Sequence, residues 1–196
     1  MRLFVALEAP SARLPSIFGT HGNAPAHLTL RFLGEVSPER VAAIGNAVDE
    51  AARSTPAFHY VLAGAGAFPS RARPRVLWVG VTEGAEGFQS LSSRLASSLL
   101  TVGFPPEARP FSPHVTVHRI RNAVEARTAR EWLATHARDR FDEAEASELL
   151  LKESVLRPDG ARHQTLGRYS LLREARDAAS DPGSLGAPSA THRLQR

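Results

Sequence analysis

The chain has 196 residues and no cysteine, which excludes disulfides, thiolate metal sites and cysteine nucleophiles. Hydrophobic residues make up 42% and charged residues 22%, enough for a real core in one generous domain or two small lobes, and no run approaches the ~20 apolar residues of a membrane span. The 24 basic residues against 20 acidic ones leave a formal charge of +4, a balance that fits a polyanionic partner without demanding one; a single lysine, Lys152, stands among arginines, whose planar fork suits phosphate.

The opening MRLFVALEAP carries one Arg before a handful of apolar residues, too short for a secretory signal, so a cytoplasmic protein is expected. Residues 2–8 are rich in strand formers and predict a first strand. Residues 9–26 hold three prolines and two glycines and read as loop. HLTLRFLGEV, residues 27–36, alternates polar and apolar positions and predicts a second strand. Ser37-Pro38 supplies an N-cap serine and an N1 proline ahead of a helix carrying Val41, Ile44, Ala47 and Val48 at helical spacing. Two strands follow, over about 57–67 and 75–82, split by Pro69 and Pro74 and suited to antiparallel pairing. Residues 84–102 bear the stripe Phe88, Leu91, Leu95, Leu99 and Leu100 of an amphipathic helix.

The second half repeats the theme. Residues 111–120, FSPHVTVHRI, alternate again and predict a strand, and residues 123–138 predict a helix around Val124, Ala129, Trp132 and Leu133. Strands are expected over 147–156 and 163–172, joined through the turn signal Arg157-Pro158-Asp159-Gly160. From residue 174 the chain turns to Ala, Ser, Gly, Pro and Asp; such a tail cannot offset its ordering entropy, and 174–196 is expected to be disordered. Strands and helices mix without strict βαβ alternation, which favours α+β with antiparallel sheets.

The chemistry lies in a near-repeat, His27-Leu28-Thr29-Leu30 and His114-Val115-Thr116-Val117. On a strand, His and Thr two apart share a face while the apolar neighbours enter the core, and their Cα atoms lie roughly 6.5–7 Å apart, within reach of one phosphate-sized group. Two such strands side by side present two imidazoles and two hydroxyls, an acid–base pair with oxyanion donors. One H-x-T on a strand usually means nothing; two copies in matching halves are much rarer by chance. Alternation puts Arg31 on the face of His27 and Thr29, where it reaches a phosphate or merely pairs at the surface. It also puts His118 on the His114 face, where a structural role is the simpler expectation. Arg119 has the wrong parity unless the strand ends or bulges. Trp78 and Phe111 have the shape to stack a base, though a strand aromatic is more often core; His21, His59, His136 and His192 read as surface residues. Neither signature carries a carboxylate to complete a metal set, and no G-x-S-x-G elbow or G-x-x-x-x-G-K loop occurs, so neither a metal, a serine triad nor ATP-driven ligation is expected.

Over residues 1–173 the sequence resembles the two-histidine phosphoesterase superfamily, and within it the RNA 2′,3′-cyclic phosphodiesterase family, also called 2′-5′ RNA ligase. The resemblance runs through RLFVALEAP, HLTLRFLGEV, RPRVLWVGV, GFPPEARPFSPHVTVHR and ESVLRPDGARHQTL. His27, Thr29, His114 and Thr116 fall on the family's paired signature, and Arg119 on an arginine after the second motif. The family commonly has Tyr where GARHQTL has His163. The resemblance implies one bilobal, pseudo-symmetric α+β domain over 1–173, with antiparallel sheets lining a central cleft and helices outside. It implies a cofactor-free hydrolase, expected as a monomer without membrane attachment, that acts on an RNA 2′,3′-cyclic end or a cyclic nucleotide and leaves a 2′-phosphomonoester. His27 is the expected proton donor and His114 the acceptor, with Thr29, Thr116, Arg119 and Arg31 as binding residues. The same kit would serve 2′-5′ ligation in reverse, or a non-catalytic nucleotide- or RNA-binding module, though binding alone does not require two titratable groups.

Overall fold

The computed structural model describes residues 1–10, 14, 26–157 and 160–173. The tail expected to be disordered, most of the 9–26 loop, Pro158, Asp159, His21 and His192 therefore lie outside the described residues. Eight strands, β1 (Arg2–Glu8), β2 (His27–Glu35), β3 (Phe58–Pro69), β4 (Pro74–Glu83), β5 (His114–Arg119), β6 (Arg140–Ala146), β7 (Glu148–Arg157) and β8 (Gly160–Ser170), form one antiparallel sheet in the order β6-β3-β4-β5-β2-β1-β7-β8. The order falls into two four-stranded halves, with each H-x-T strand innermost in its own half. A single backbone pairing, Leu28 with Val115, joins them. The outcome is the α+β, two-lobed arrangement expected from the sequence.

Strand alternation sorts the side chains. Leu3, Val5 and Leu7 of β1, Leu28 of β2, Val79 of β4 and Val115 of β5 all enter one core. Helices α1 (Val41–Arg53) and α2 (Ala85–Thr101) close that core with Ile44, Val48, Phe88, Leu91, Leu95 and Leu99. Helix α3 (Ala123–Thr135) seats Ala129 and Leu133 on Ala65, Ala67 and Leu77 in a smaller cluster beside it. Leu77 and Val79 share a face of β4, so α1, α2 and α3 all lie on the same side of the sheet. Gly45 lets α1 approach β8, since a Cβ there would stand 2.6 Å from the Tyr169 hydroxyl.

Local departures have physical causes. Ser37 precedes a single 3₁₀ turn, Pro38–Arg40, and makes no side-chain cap to its backbone; its side chain hydrogen-bonds Glu39 instead, holding that carboxyl below its usual range. β5 begins at His114, not 111, because Pro113 has no N–H to lend a ladder. β6, RFDEAEA, carries too many acids to read as a strand, yet it pairs with β3 as a charged sheet edge. Among the described residues no helix is long and apolar enough to cross a membrane.

Candidate active site

Leu28 and Val115, paired across the seam, are both fully buried. Their neighbours along each strand therefore face the opposite way, onto the side of the sheet away from α1, α2 and α3. Antiparallel register sets His27 against Thr116 and Thr29 against His114, one residue to either side of the pair. Both imidazoles and both hydroxyls thus share one face at the junction of the lobes, the two motifs related head to tail.

Two β-bulges then decide which charged residues join them. Along β1–β2 the register steps from Ala6–Thr29 to Val5–Arg31, leaving Leu30 as the extra residue. Val5 is a core residue, so Arg31 turns to the helix side. Its guanidinium donates to the Pro105 carbonyl, and Nε lies 3.7 Å from Glu107 Oε1. The expectation that Arg31 shares the His27–Thr29 face is corrected by this bulge, and Phe32, which is 66% exposed, takes the cleft side opposite Phe4. In β5 the register steps from Trp78–Thr116 to Leu77–His118, passing over Val117. Leu77 belongs to the cluster under α3, and His118 follows it there, its Nε2 3.1 Å from Glu125 Oε2 on that helix. His118 therefore leaves the face of His114 and Thr116 that simple alternation gave it. Arg119, opposite Val76, comes onto the face of Trp78 and Thr116, the bulge its parity required.

Each histidine of the repeat has its own aromatic surround. His114 packs against Phe68 at 5.0 Å between ring centroids and against Trp78 at 6.1 Å. Gly66 makes room for the indole, because a Cβ there would lie 2.1 Å from Trp78 Cζ2. Nδ1 of His114 is 2.8 Å from the Ser112 carbonyl oxygen. A carbonyl only accepts, so Nδ1 carries a hydrogen and Nε2 of the neutral ring keeps a lone pair for the cleft. His27 packs against Phe4, at 5.5 Å, and edge-on against His163 of β8, at 4.9 Å. That contact spans β1 and β7, a measure of how far the sheet curls. Burial, followed by the charges of His27, Lys152 and Arg119, pushes the His163 imidazole down to about 4. Lys152 is buried on the cleft side of β7, paired in register with Phe4, its Nζ 3.8 Å from Glu8 Oε1. Arg168 reaches the same oxygen at 3.7 Å.

Phe4, Glu8, Phe68 and Lys152 of this cleft escaped the sequence reading. The alternation of RLFVALE sets Phe4 and Glu8 on one face, and a lone lysine among arginines was a signal for Lys152. Trp78 lies on the cleft side, whereas Phe111 packs against the main core. His59 lies 3.8 Å from Glu143, and His136 2.6 Å from Asp139, both away from the junction. Among the described residues no three His, Asp or Glu side chains gather as a metal set.

The model of the 2′-5′ RNA ligase superfamily matches residues 7–153. A protein of Aeropyrum pernix named RNA 2′,3′-cyclic phosphodiesterase is 38% identical over 140 residues, which cover 71% of this chain and 78% of that protein. The protein of that name in Archaeoglobus fulgidus is 32% identical over 180 residues, 85% of this chain and 98% of its own length. Among solved structures, a Thermus thermophilus protein superposes with a TM-score of 0.71 at 26% identity, covering 89% of this chain and all of that one (100%). Escherichia coli LigT complexed with 3′-AMP superposes with a TM-score of 0.62 at 26% identity, covering 87% of this chain and 97% of that one.

Proposed function

Since the chain belongs to the 2′-5′ RNA ligase superfamily, we propose that it is an RNA 2′,3′-cyclic phosphodiesterase that opens the cyclic phosphate at an RNA end by acid–base catalysis from His27 and His114. The observation that carries this reading is the Leu28–Val115 pairing, whose register turns His27, Thr29, His114 and Thr116 onto one face. Water attacks phosphorus and gives a proton to Nε2 of His114. The bond from phosphorus to O3′ breaks, and His27 protonates the departing oxygen. The products are a 2′-phosphomonoester and a free 3′-hydroxyl. The Ser112 carbonyl supports the choice of base, because it holds the proton of His114 on Nδ1 and aims a lone pair outward. Thr29 and Thr116 donate to the non-bridging oxygens, and Arg119 adds a positive charge where negative charge accumulates. The cyclic ester supplies strain of its own, so positioning and proton transfer, worth ~10²–10⁴ per group, suffice.

Hydrolysing a 2′,3′-cyclic mononucleotide and separating the isomeric products tests the assignment. A predominant 2′-phosphate is expected; a 3′-phosphate reverses the acid and base, and no turnover of cyclic ends removes the activity. The name of the matched family favours a second reading, 2′-5′ joining, in which an RNA hydroxyl replaces water. Supplying an RNA with a free 5′-hydroxyl and looking for a 2′-5′ linkage separates the two directions.

A further inference from the structure

Where the β3–β4 turn meets α3, a groove of about 510 Å³ opens at the end of the hairpin. Arg73, Arg75 and Arg130 line it, together with Pro69, Pro74 and Ala126, and among the described residues no acidic one does. None of these three guanidinium groups has an ion-pair partner among the described residues. Some arginines elsewhere are neutralised: Arg53 pairs with Asp49, Arg140 with Glu83 and Glu143, Arg168 with Glu8 and Glu148. Like charges gathered without counter-charge repel one another and raise the local positive potential, so the cluster favours an anion.

The groove is preformed. Arg71 donates to the Leu133 carbonyl and ties the turn to the end of α3, while Ala65, Ala67 and Leu77 pack on Ala129 and Leu133 beneath. It also adjoins the cleft. The Ile120 N–H donates to the Arg75 carbonyl at 2.9 Å, and the next residue of β4, Val76, faces Arg119. From Trp78, the partner of Thr116, three residues of β4 lead to Arg75, roughly 10 Å along the strand. Alternation turns Arg75 toward α3, so a chain leaving the cleft past exposed Arg119 rounds the hairpin end to meet all three arginines. Guanidinium forks set among prolines and alanines suit a phosphodiester backbone.

We propose that this groove holds phosphates of the RNA strand running away from its reacting end, an inference that rests on the RNA reading above. The test compares the full chain with the triple variant Arg73→Gln, Arg75→Gln, Arg130→Gln, using fluorescence anisotropy of a labelled RNA of about ten nucleotides, a length within ordinary single-strand site sizes. Each lost phosphate contact lowers the salt slope by about 0.7 for a single strand. Between about 50 and 200 mM salt, the unaltered chain should therefore lose roughly 20-fold more affinity than the variant. Turnover of a 2′,3′-cyclic mononucleotide, too short to reach the groove, should be the same in both. Equal salt slopes, or equal losses on the mononucleotide and the RNA, overturn the groove. Absence of mononucleotide turnover in the unaltered chain overturns the catalytic reading instead, while anisotropy still decides the groove.

Discussion

Burial first, and then the charges of His27, Lys152 and Arg119, weigh against a proton on His163. With its imidazole held down to about 4, it stays neutral in the folded chain where the unfolded chain takes up a proton near 6.5. Its contribution is therefore complete above about pH 6.5 and is lost as pH falls from there toward 4. His163→Phe keeps the ring against Phe4 and His27 but removes the titration. The urea midpoint of the unaltered chain should fall further between about pH 7.5 and pH 5 than that of this variant. A parallel fall in both proteins would show that His163 is not the group responsible. In the same cleft, His27→Ala and His114→Ala should each lower turnover by about two orders of magnitude or more while leaving the circular dichroism spectrum intact. Near-normal turnover in either variant removes that ring from the chemistry. Thr29→Ala or Thr116→Ala should cost less, about 1–3 kcal/mol of transition-state stabilisation, read from kcat/KM.

The strands and helices hold these rings in place, and two contacts expose how. Asn122 caps α3 by accepting from the Glu125 N–H at 2.9 Å, and Glu125 in turn engages His118 and the Arg121 N–H. Asn122→Ala should lower stability by about 1 kcal/mol, measured by denaturant unfolding; no change would mean that the end of α3 is held by packing alone. Gly66→Ala places a methyl group where the indole of Trp78 lies, an overpacking that costs about 1–3 kcal/mol. Its tryptophan fluorescence should shift as the ring is displaced from His114, and an unmoved spectrum would contradict the crowding. The alternation of HLTLRFLGEV and HVTVHR was legible from residue types, so the His and Thr of each motif could be placed on one face of its own strand. The bulges at Leu30 and Val117 were not, because period-two reasoning assumes an unbroken ladder and an inserted residue reverses every position beyond it. That is why Arg31 and His118 left the cleft while Arg119 entered it. β6 was illegible for a different reason: its strand character comes from pairing with β3, not from its own side chains.

At the scale of the whole molecule, the four candidate groups are divided evenly between two half-sheets. No acidic residue belongs to either signature, and the one carboxylate set opposite His27 in register, Glu8, is engaged by Lys152 and Arg168. Exhaustive chelation should accordingly leave turnover of a cyclic nucleotide unchanged; a loss restored by a divalent ion would overturn the acid–base mechanism. Inter-lobe geometry was beyond sequence reasoning, since a motif gives the face of its own strand but not the strand it lies beside. The family resemblance supplied that juxtaposition as an expectation, and the Leu28–Val115 pairing gives it a register.

Strand order also has a consequence in time. One half-sheet is drawn from a continuous middle stretch, β3 to β6, while the other needs β1 and β2 from the start of the chain and β7 and β8 from near the end of the described residues. During synthesis the middle half has all its strands before residues 148–157 leave the ribosome. Until then β1 can pair with β2 on one side, but its other edge, which later takes β7 from Leu3 to Ala6, stands bare. The nascent chain thus carries an open apolar strand edge for most of its translation, the interval in which a chaperone or a wrong partner can reach it.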